Sequence, residues 1–118
     1  MSGIRARLLE FALSFPETFV DHPWDEEVVK VRKQVFVFFG GPRSSLMTVK
    51  LDESHGHALS IEGAAPTRYG LGKSGWVNVP LEGAGEAVLR DWIEESYRIV
   101  APKRLVAELD GRNSRKFR

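Results

Sequence analysis

Residues 29–51, VKVRKQVFVFFGGPRSSLMTVKL, contain the pattern that decides the fold. The first four residues alternate valine with a basic residue, which is typical of a strand with one buried and one solvated face. The unbroken apolar run Val35–Phe39 predicts a central strand that is covered at least partly on both sides. The glycines at 40 and 41 allow a hairpin loop through Ser44, and a third strand is predicted over Leu46–Leu51. Local connections of this kind make the three strands antiparallel.

Helical patterns and further strand patterns surround this segment. Ile4, Leu8, Phe11 and Phe15 recur at helical spacing, so an amphipathic helix is predicted that ends at Pro16. The prolines and acids between Phe15 and Asp25 predict a loop, which we expect Trp24 to anchor against the domain.

After the third strand, a short helix is predicted from Asp52 through Ile61, and a further strand over Trp76–Leu81. The stripe from Val88 to Val100 predicts a long helix ended by Pro102, and Leu105–Leu109 suggests a short one after it. The expected fold class is α+β: a two-layer domain with an antiparallel sheet covered by helices, in the order α-β-β-β-α-β-(β)-α.

The length of 118 residues predicts one domain, which we place at residues 1–110. Residues 111–118 hold four basic side chains and no acid, and are expected to form a disordered tail. There is no cysteine, which excludes disulfides, thiolate metal sites and cysteine nucleophiles. The apolar runs are too short to span a bilayer and the N-terminus lacks a secretory pattern, so no membrane partner and a cytoplasmic location are expected.

Charge is distributed unevenly along a chain whose net charge is +1. Residues 1–27 have 2 basic and 6 acidic side chains, residues 28–73 have 7 and 3, and residues 74–111 have 4 and 7. A basic middle between two acidic flanks predicts a surface that attracts anions, although an evenly solvated surface could produce the same counts.

The motifs that suggest enzyme chemistry lack the residues or the spacing that such chemistry requires. Gly72-Lys73-Ser74 looks like the end of a phosphate-binding loop, but Thr67 stands where the first glycine is needed, and a strand follows instead of a helix. Two histidines at 55 and 57 are one residue apart, which is not the i, i+4 spacing of two helical metal ligands, so a surface pair is expected. No serine has a nucleophile signature. We therefore expect no enzyme, catalytic residue, metal or cofactor.

The predicted sheet face opposite the helices is basic and aromatic. If the alternating valines face the helices, this face gathers Lys30, Arg32, Lys50, Trp76 and Asn78, with Thr48 and, for one parity of the central strand, the Phe36 and Phe38 positions. Lysine and arginine neutralise phosphates while an exposed ring stacks on a base, which predicts nucleic-acid binding. The alternative is that a dimer partner, or the chain itself, covers this face.

Four segments together resemble one family. They are the Lys-Val strand at 29–36, the Lys-bearing strand at 46–51, the Lys-x-x-Trp-Val segment within 69–79 and the Ser-Tyr of 96–100, and in this order and spacing they are similar to the MmcQ/YjbR family across residues 4–109. The resemblance implies a small α+β domain grouped with bacterial frataxin-like (CyaY-like) and type III secretion-chaperone folds. It also implies a DNA-binding double-wing arrangement, with Lys30, Lys33, Lys50, Lys73 and Trp76 at the family's basic and aromatic positions.

The predicted function is therefore weak, non-sequence-specific binding of nucleic acid, DNA first, by this sheet face and the wing loops. Contact must come from strands and loops, because the longest helix carries Glu94 and Glu95 on its polar face and would be repelled by phosphates. The candidate binding residues are Lys30, Arg32, Lys33, Arg43, Lys50, Arg68, Lys73 and Trp76. The alternative is a protein-interaction or chaperone-like domain whose open face is a dimer or client surface, and a ligand-binding or enzymatic role of the 68–76 loop is a third reading.

Overall fold

The computed structural model describes residues 3–68 and 70–116, in which four α-helices and a six-stranded antiparallel sheet form two layers. The elements are α1 (Ile4–Ala12), β1 (Thr18–Asp21), β2 (Glu27–Val31), β3 (Gln34–Gly40), β4 (Leu46–Lys50), α2 (His55–Leu59), β5 (Ala65–Pro66), β6 (Trp76–Pro80), α3 (Glu86–Val100) and α4 (Lys103–Lys116). The strand order is β1-β2-β3-β4-β6-β5, and every neighbouring pair is antiparallel. The predicted α+β class is confirmed.

The helix layer packs on a face of the sheet that is lined by valines. Val29, Val37, Val49 and Val77 pair with one another across four strands, and all four side chains are fully buried. Helix α3 supplies the opposing apolar side chains, among them Leu89, Trp92 and Ile93. This burial is the main source of stability, at about 1.5 to 3 kcal/mol for each fully buried valine.

A β-bulge in β3 decides which phenylalanine faces which way. Val29 pairs with Val37, but the next residue of β2, Lys30, pairs with Val35, so Phe36 is an extra residue without a partner in the β2–β3 ladder. Its ring turns to the helix side, where it lies 5.3 Å from the ring of Tyr97 and 6.2 Å from that of Phe15, centroid to centroid. Phe38 points to the opposite face, whereas strict alternation would have placed Phe36 and Phe38 on the same face.

The N-terminal half differs from the expectation in two places. Residues 18–21, predicted as part of a loop, form strand β1 and pair with β2. The interpretation of Trp24 as an anchor is wrong, because 94% of its surface is exposed and its backbone has a φ of 55°. Arg32, assigned to a strand by alternation, lies in the β2–β3 turn with a φ of 56°.

The C-terminal half also differs from the expectation. Helix α4 extends through Lys116, so residues 111–116 are helical where a disordered tail was expected, and residues 117–118 lie outside the described residues. Arg112 donates hydrogen bonds to the Ser14 carbonyl at 3.2 Å and to the Glu108 carboxylate at 3.2 Å, which ties this helix to the end of α1. In the described chain no helix combines the length and apolarity that a membrane crossing requires.

Glu95 of α3 is not simply a solvated residue of the polar helix face. Its carboxylate accepts hydrogen bonds from the N–H groups of Asp52 and Ser54, at 2.7 and 3.2 Å, and from the Ser54 hydroxyl at 2.7 Å. The carboxylate thus satisfies free donors just before α2, the task of a helix cap.

Candidate nucleic-acid interface

The sheet face that points away from the helices is the candidate interface, and we call it the outer face. Register places Thr48 of β4 between Phe38 of β3 and Asn78 of β6, and it pairs Lys50 with Trp76. Lys30 also lies on this face, because it follows the inward-facing Val29 in β2 and pairs with Val35 beyond the bulge. The core helices pack on the opposite face, while the β5–β6 connection and Glu26 of the β1–β2 connection border the outer face.

Trp76 is on the outer face as predicted, but its ring is covered instead of exposed. Only 9% of its surface is accessible, and its ring meets that of Phe38 nearly edge to face, with centroids 5.4 Å apart and planes at 72°. The covering segment is held by the Thr67 N–H, which donates to the Trp76 carbonyl at 3.1 Å, and by the Gly72 N–H, which donates to the Thr67 carbonyl at 3.0 Å. Trp76 therefore supports the face rather than presenting a free stacking surface.

A groove of about 360 Å³ opens beside Phe38 on the outer face, and we call it the Asn78 groove. Its lining includes Phe38, Leu46, Thr48, Thr67, Leu71 and Asn78, with Glu26, Gly40 and Ser44 also contributing. The side-chain oxygen Oδ1 of Asn78 accepts hydrogen bonds from two hydroxyls, that of Thr48 at 2.7 Å and that of Thr67 at 3.0 Å. Sequence reasoning missed the part played by Thr67, because nothing local shows that a loop residue returns to β6.

Four of the eight predicted binding residues, all of them basic, lie at one end of the sheet. Lys33 lies in the β2–β3 turn, Lys50 ends β4, and Arg68 and Lys73 belong to the β5–β6 connection. With strands about 4.8 Å apart, these positions extend over roughly 15 to 20 Å. Within residues 3–68 and 70–116, none of the four side chains has an ion pair or a hydrogen bond. We call them the cation row.

A cavity of about 510 Å³ lies within the cation row. Two members of the row, Lys50 and Lys73, line it together with Asp52, Ser74, His55 of α2 and Ile99 of α3. The other histidine, His57, instead packs edge-on against Trp92 with the ring centroids 5.3 Å apart. In the part of the chain that the structure describes, no three histidine or carboxylate side chains are grouped as a metal would require.

The remaining predicted cations are not free members of this group. Lys30 forms an ion pair with Asp21 at 2.8 Å, and its hydrogen bond lowers the pKa of that carboxyl. Arg32 pairs at 3.2 Å with Glu17, which also accepts from Arg104 at 3.2 Å. Arg43 lies in the β3–β4 loop at the opposite end of the sheet.

The glycines around Lys73 are required by close packing, which explains the apparent phosphate-loop motif. A Cβ on Gly72 would lie 2.7 Å from the Thr67 carbonyl oxygen, and a Cβ on Gly75 would lie 2.8 Å from that of Leu51. Gly75 also has a φ of 99°, a conformation that other residues rarely adopt. Gly72 lets the connection fold closely against β5, and Gly75 lets it approach the end of β4, where Lys73 and Lys50 line one cavity.

Comparison with known proteins places these features in a family. The YjbR family model matches residues 13–99. The crystal structure of Deinococcus radiodurans protein DR2400, with domain DUF419, is similar at a TM-score of 0.70 and 23% identity, covering 93% of this chain and 89% of that chain. A Pseudomonas syringae protein is similar at a TM-score of 0.63 and 22% identity, covering 84% of this chain and 98% of the other. At these identities the two structures show the fold alone. No curated protein gives a significant match.

Proposed function

The chain belongs to the YjbR family, and we propose that it is a binding module for nucleic-acid backbone, weak and independent of sequence, and not an enzyme. Fold and family do not define an activity, so the proposal depends on the site. The observation that carries it is the cation row: four basic side chains at one end of the sheet that form no ion pair among the described residues, with Asp52 lining the cavity beside two of them.

The cation row suits a phosphate chain better than a single small anion. Its members are spread over roughly 15 to 20 Å across the strands at one end of the sheet, since strand spacing is about 4.8 Å. Each lysine or arginine that neutralises a phosphate releases a counterion, which supplies affinity without reading sequence. Ion pairing removes Lys30 and Arg32 from this count, so four is the number of phosphate contacts that we assign.

The arrangement of the helices explains why sequence-specific reading is not proposed. Major-groove readers insert a helix that carries basic and amide side chains. Here the helices lie on the opposite side of the sheet, and the longest, α3, has acidic residues on its polar side, including Glu86, Asp91 and Glu94. The phosphate backbone is therefore the part of a nucleic acid that this face can contact.

Fluorescence anisotropy with labelled single-stranded and duplex DNA over a salt series tests the proposal. If four phosphates are contacted, log K should fall with log salt at a slope of about −0.9Z for duplex and −0.7Z for single strands, hence about −3.6 and −2.8. Replacing Lys50 or Lys73 by Gln should reduce the slope by about 0.9 or 0.7 each.

Arg43→Gln is the matched control, because Arg43 is an exposed cation in the β3–β4 loop, at the opposite end of the sheet from the cation row. It removes the same charge from the chain but not from the cation row, so its slope should equal that of the wild type. Equal losses in all three variants would mean that only net charge matters. No measurable binding at low salt would contradict the proposal.

A protein contact on the outer face is the second candidate function. Leu46 and Leu71, beside the Asn78 groove, are 36% and 41% exposed, and Phe19 of edge strand β1 is 46% exposed on the same face. Clustered exposed apolar side chains are typical of interaction surfaces. Light scattering tests for a dimer: a mass twice that of the chain, reduced to one chain by Leu46→Lys, would favour this candidate over nucleic-acid binding.

A further inference from the structure

We propose that the Asn78 groove holds one unpaired base of a single-stranded nucleic acid whose phosphates lie along the cation row. The inference rests on the proposed function and narrows its ligand class from any nucleic acid to single strands. It starts from a polar side chain that is held in one orientation inside an otherwise largely apolar groove.

Two threonines orient the Asn78 amide. The hydroxyls of Thr48 and Thr67 both donate to Asn78 Oδ1, so the acceptor side of the amide is occupied. The Nδ2 group retains two N–H donors. It has no hydrogen-bond partner among the described residues and no such atom is buried, so solvent reaches it. Every nucleobase offers a carbonyl oxygen or ring nitrogen as an acceptor, so the Nδ2 donor by itself does not select one base over another.

The groove walls suit the flat, apolar faces of a base. Phe38 contributes an aromatic ring, whose orientation is fixed by its edge-to-face contact with Trp76. Leu46 and Leu71 add apolar surface, and the volume of about 360 Å³ falls within the size range of ligand sites. A base stacked on an aromatic ring and held by one hydrogen bond is the ordinary contact of single-strand binding proteins.

The groove lies close to the cation row. Thr48 and Lys50 are two residues apart on the same face of β4, a separation of about 7 Å along the strand. The β5–β6 connection supplies Leu71 to the groove and Lys73 to the cavity of the cation row. A nucleotide can therefore place its base in the groove and its phosphate near Lys50, whereas a duplex has its bases stacked and paired and presents none to the groove.

Two 12-residue oligonucleotides separate base contacts from backbone contacts. One is oligothymidine and the other is an abasic strand with the same phosphates, and both are titrated by fluorescence anisotropy against the full chain. The wild-type protein should bind oligothymidine about tenfold more tightly than the abasic strand, because stacking and the Asn78 donor act only on a base. Lys50→Gln should weaken both strands by a similar factor and leave their ratio unchanged.

Asn78→Asp is the informative substitution, because aspartate retains an acceptor for both threonine hydroxyls but has no N–H to donate. Its added charge weakens both strands alike, so the ratio is the readout, and we expect the ratio to fall to about threefold or less. Gln34→Glu is the control: it makes the same chemical change at an exposed amide at the start of β3, outside the groove, and should leave the ratio near tenfold. Phe38→Leu provides a second variant that removes the stacking ring.

The outcomes distinguish this inference from the proposed function. Equal wild-type affinities for the two strands would overturn the base site while leaving backbone binding intact. No binding of either strand would reject both proposals. A tenfold ratio that neither Asn78→Asp nor Phe38→Leu reduces would also overturn the inference, because the base would then be bound elsewhere.

Discussion

Replacing Ser96 by alanine should destabilise the protein more than any other loss of a single hydroxyl that we consider. The Ser96 side chain is fully buried in α3 and bridges two strands of the sheet. Its hydroxyl donates to the Phe36 carbonyl of the bulge and accepts from the Lys50 N–H at 2.9 Å. The β3–β4 pairs begin with Val37 and Val49, so the serine joins the two backbone groups just beyond the ladder.

The magnitude follows from the two backbone groups that Ser96→Ala leaves without their partner. Each buried, unsatisfied donor or acceptor costs about 1 to 3 kcal/mol, and the Lys50 N–H is only partly buried, so we expect about 2 to 4 kcal/mol in total. Urea unfolding followed by far-UV circular dichroism measures this directly. With an m-value of about 2 kcal/mol/M, the midpoint should fall by about 1 to 2 M at constant m.

Ser14→Ala is the matched control for this measurement. Ser14 also donates to a backbone carbonyl, that of Phe11 at 2.6 Å, but it is exposed and water can replace it. Its loss should change the unfolding free energy by less than about 0.5 kcal/mol. A destabilisation below 1 kcal/mol for Ser96→Ala, with m unchanged, would refute the reasoning about the bulge.

Three further predictions concern the core, the loop and the outer face. Tyr97→Phe should cost about 1 to 2 kcal/mol in urea unfolding, because the phenol, whose pKa burial raises to about 12, donates to the Pro16 carbonyl at 2.9 Å. Gly75→Ala should lower stability by about 1 to 3 kcal/mol in the same assay, whereas Gly41→Ala, with open space around it, should not. Lys30→Met should raise the pKa of Asp21 toward its ordinary value in an NMR titration. Because the folded-state pKa of Asp21 is lowered, its stabilising pair is present above the unfolded pKa and is lost as pH falls through the folded one.

Most of the candidate face could be predicted from the sequence because side-chain alternation is a local property of a strand. Residues 46–50 and 76–79 have a period of two, so valines on one side place Lys50, Thr48 and Asn78 on the other without knowledge of the partners. The family resemblance, confirmed by the match over residues 13–99, was also readable from the residues alone.

Which basic side chains form ion pairs could not be predicted in the same way, because this depends on which acidic residues come close in space. Lys30 and Arg32 were predicted to bind nucleic acid. Strand β1 instead places Asp21 against Lys30, and Glu17, just before that strand, pairs with Arg32. The segment that contains both acids read as a loop, since four residues with one exposed edge give too short a pattern to identify as a strand.

The sequence by itself determined the α+β class, the inner valine layer and the identity of the outer-face residues on β4 and β6, because each follows from the spacing of neighbours along the chain. Only the tertiary structure decided that Phe36 turns inward at a bulge, that Trp76 is covered, and that Thr67 returns to orient Asn78. These features depend on register and on contacts between residues distant in sequence, and no local periodicity encodes the position of an unpaired residue or the path of a loop.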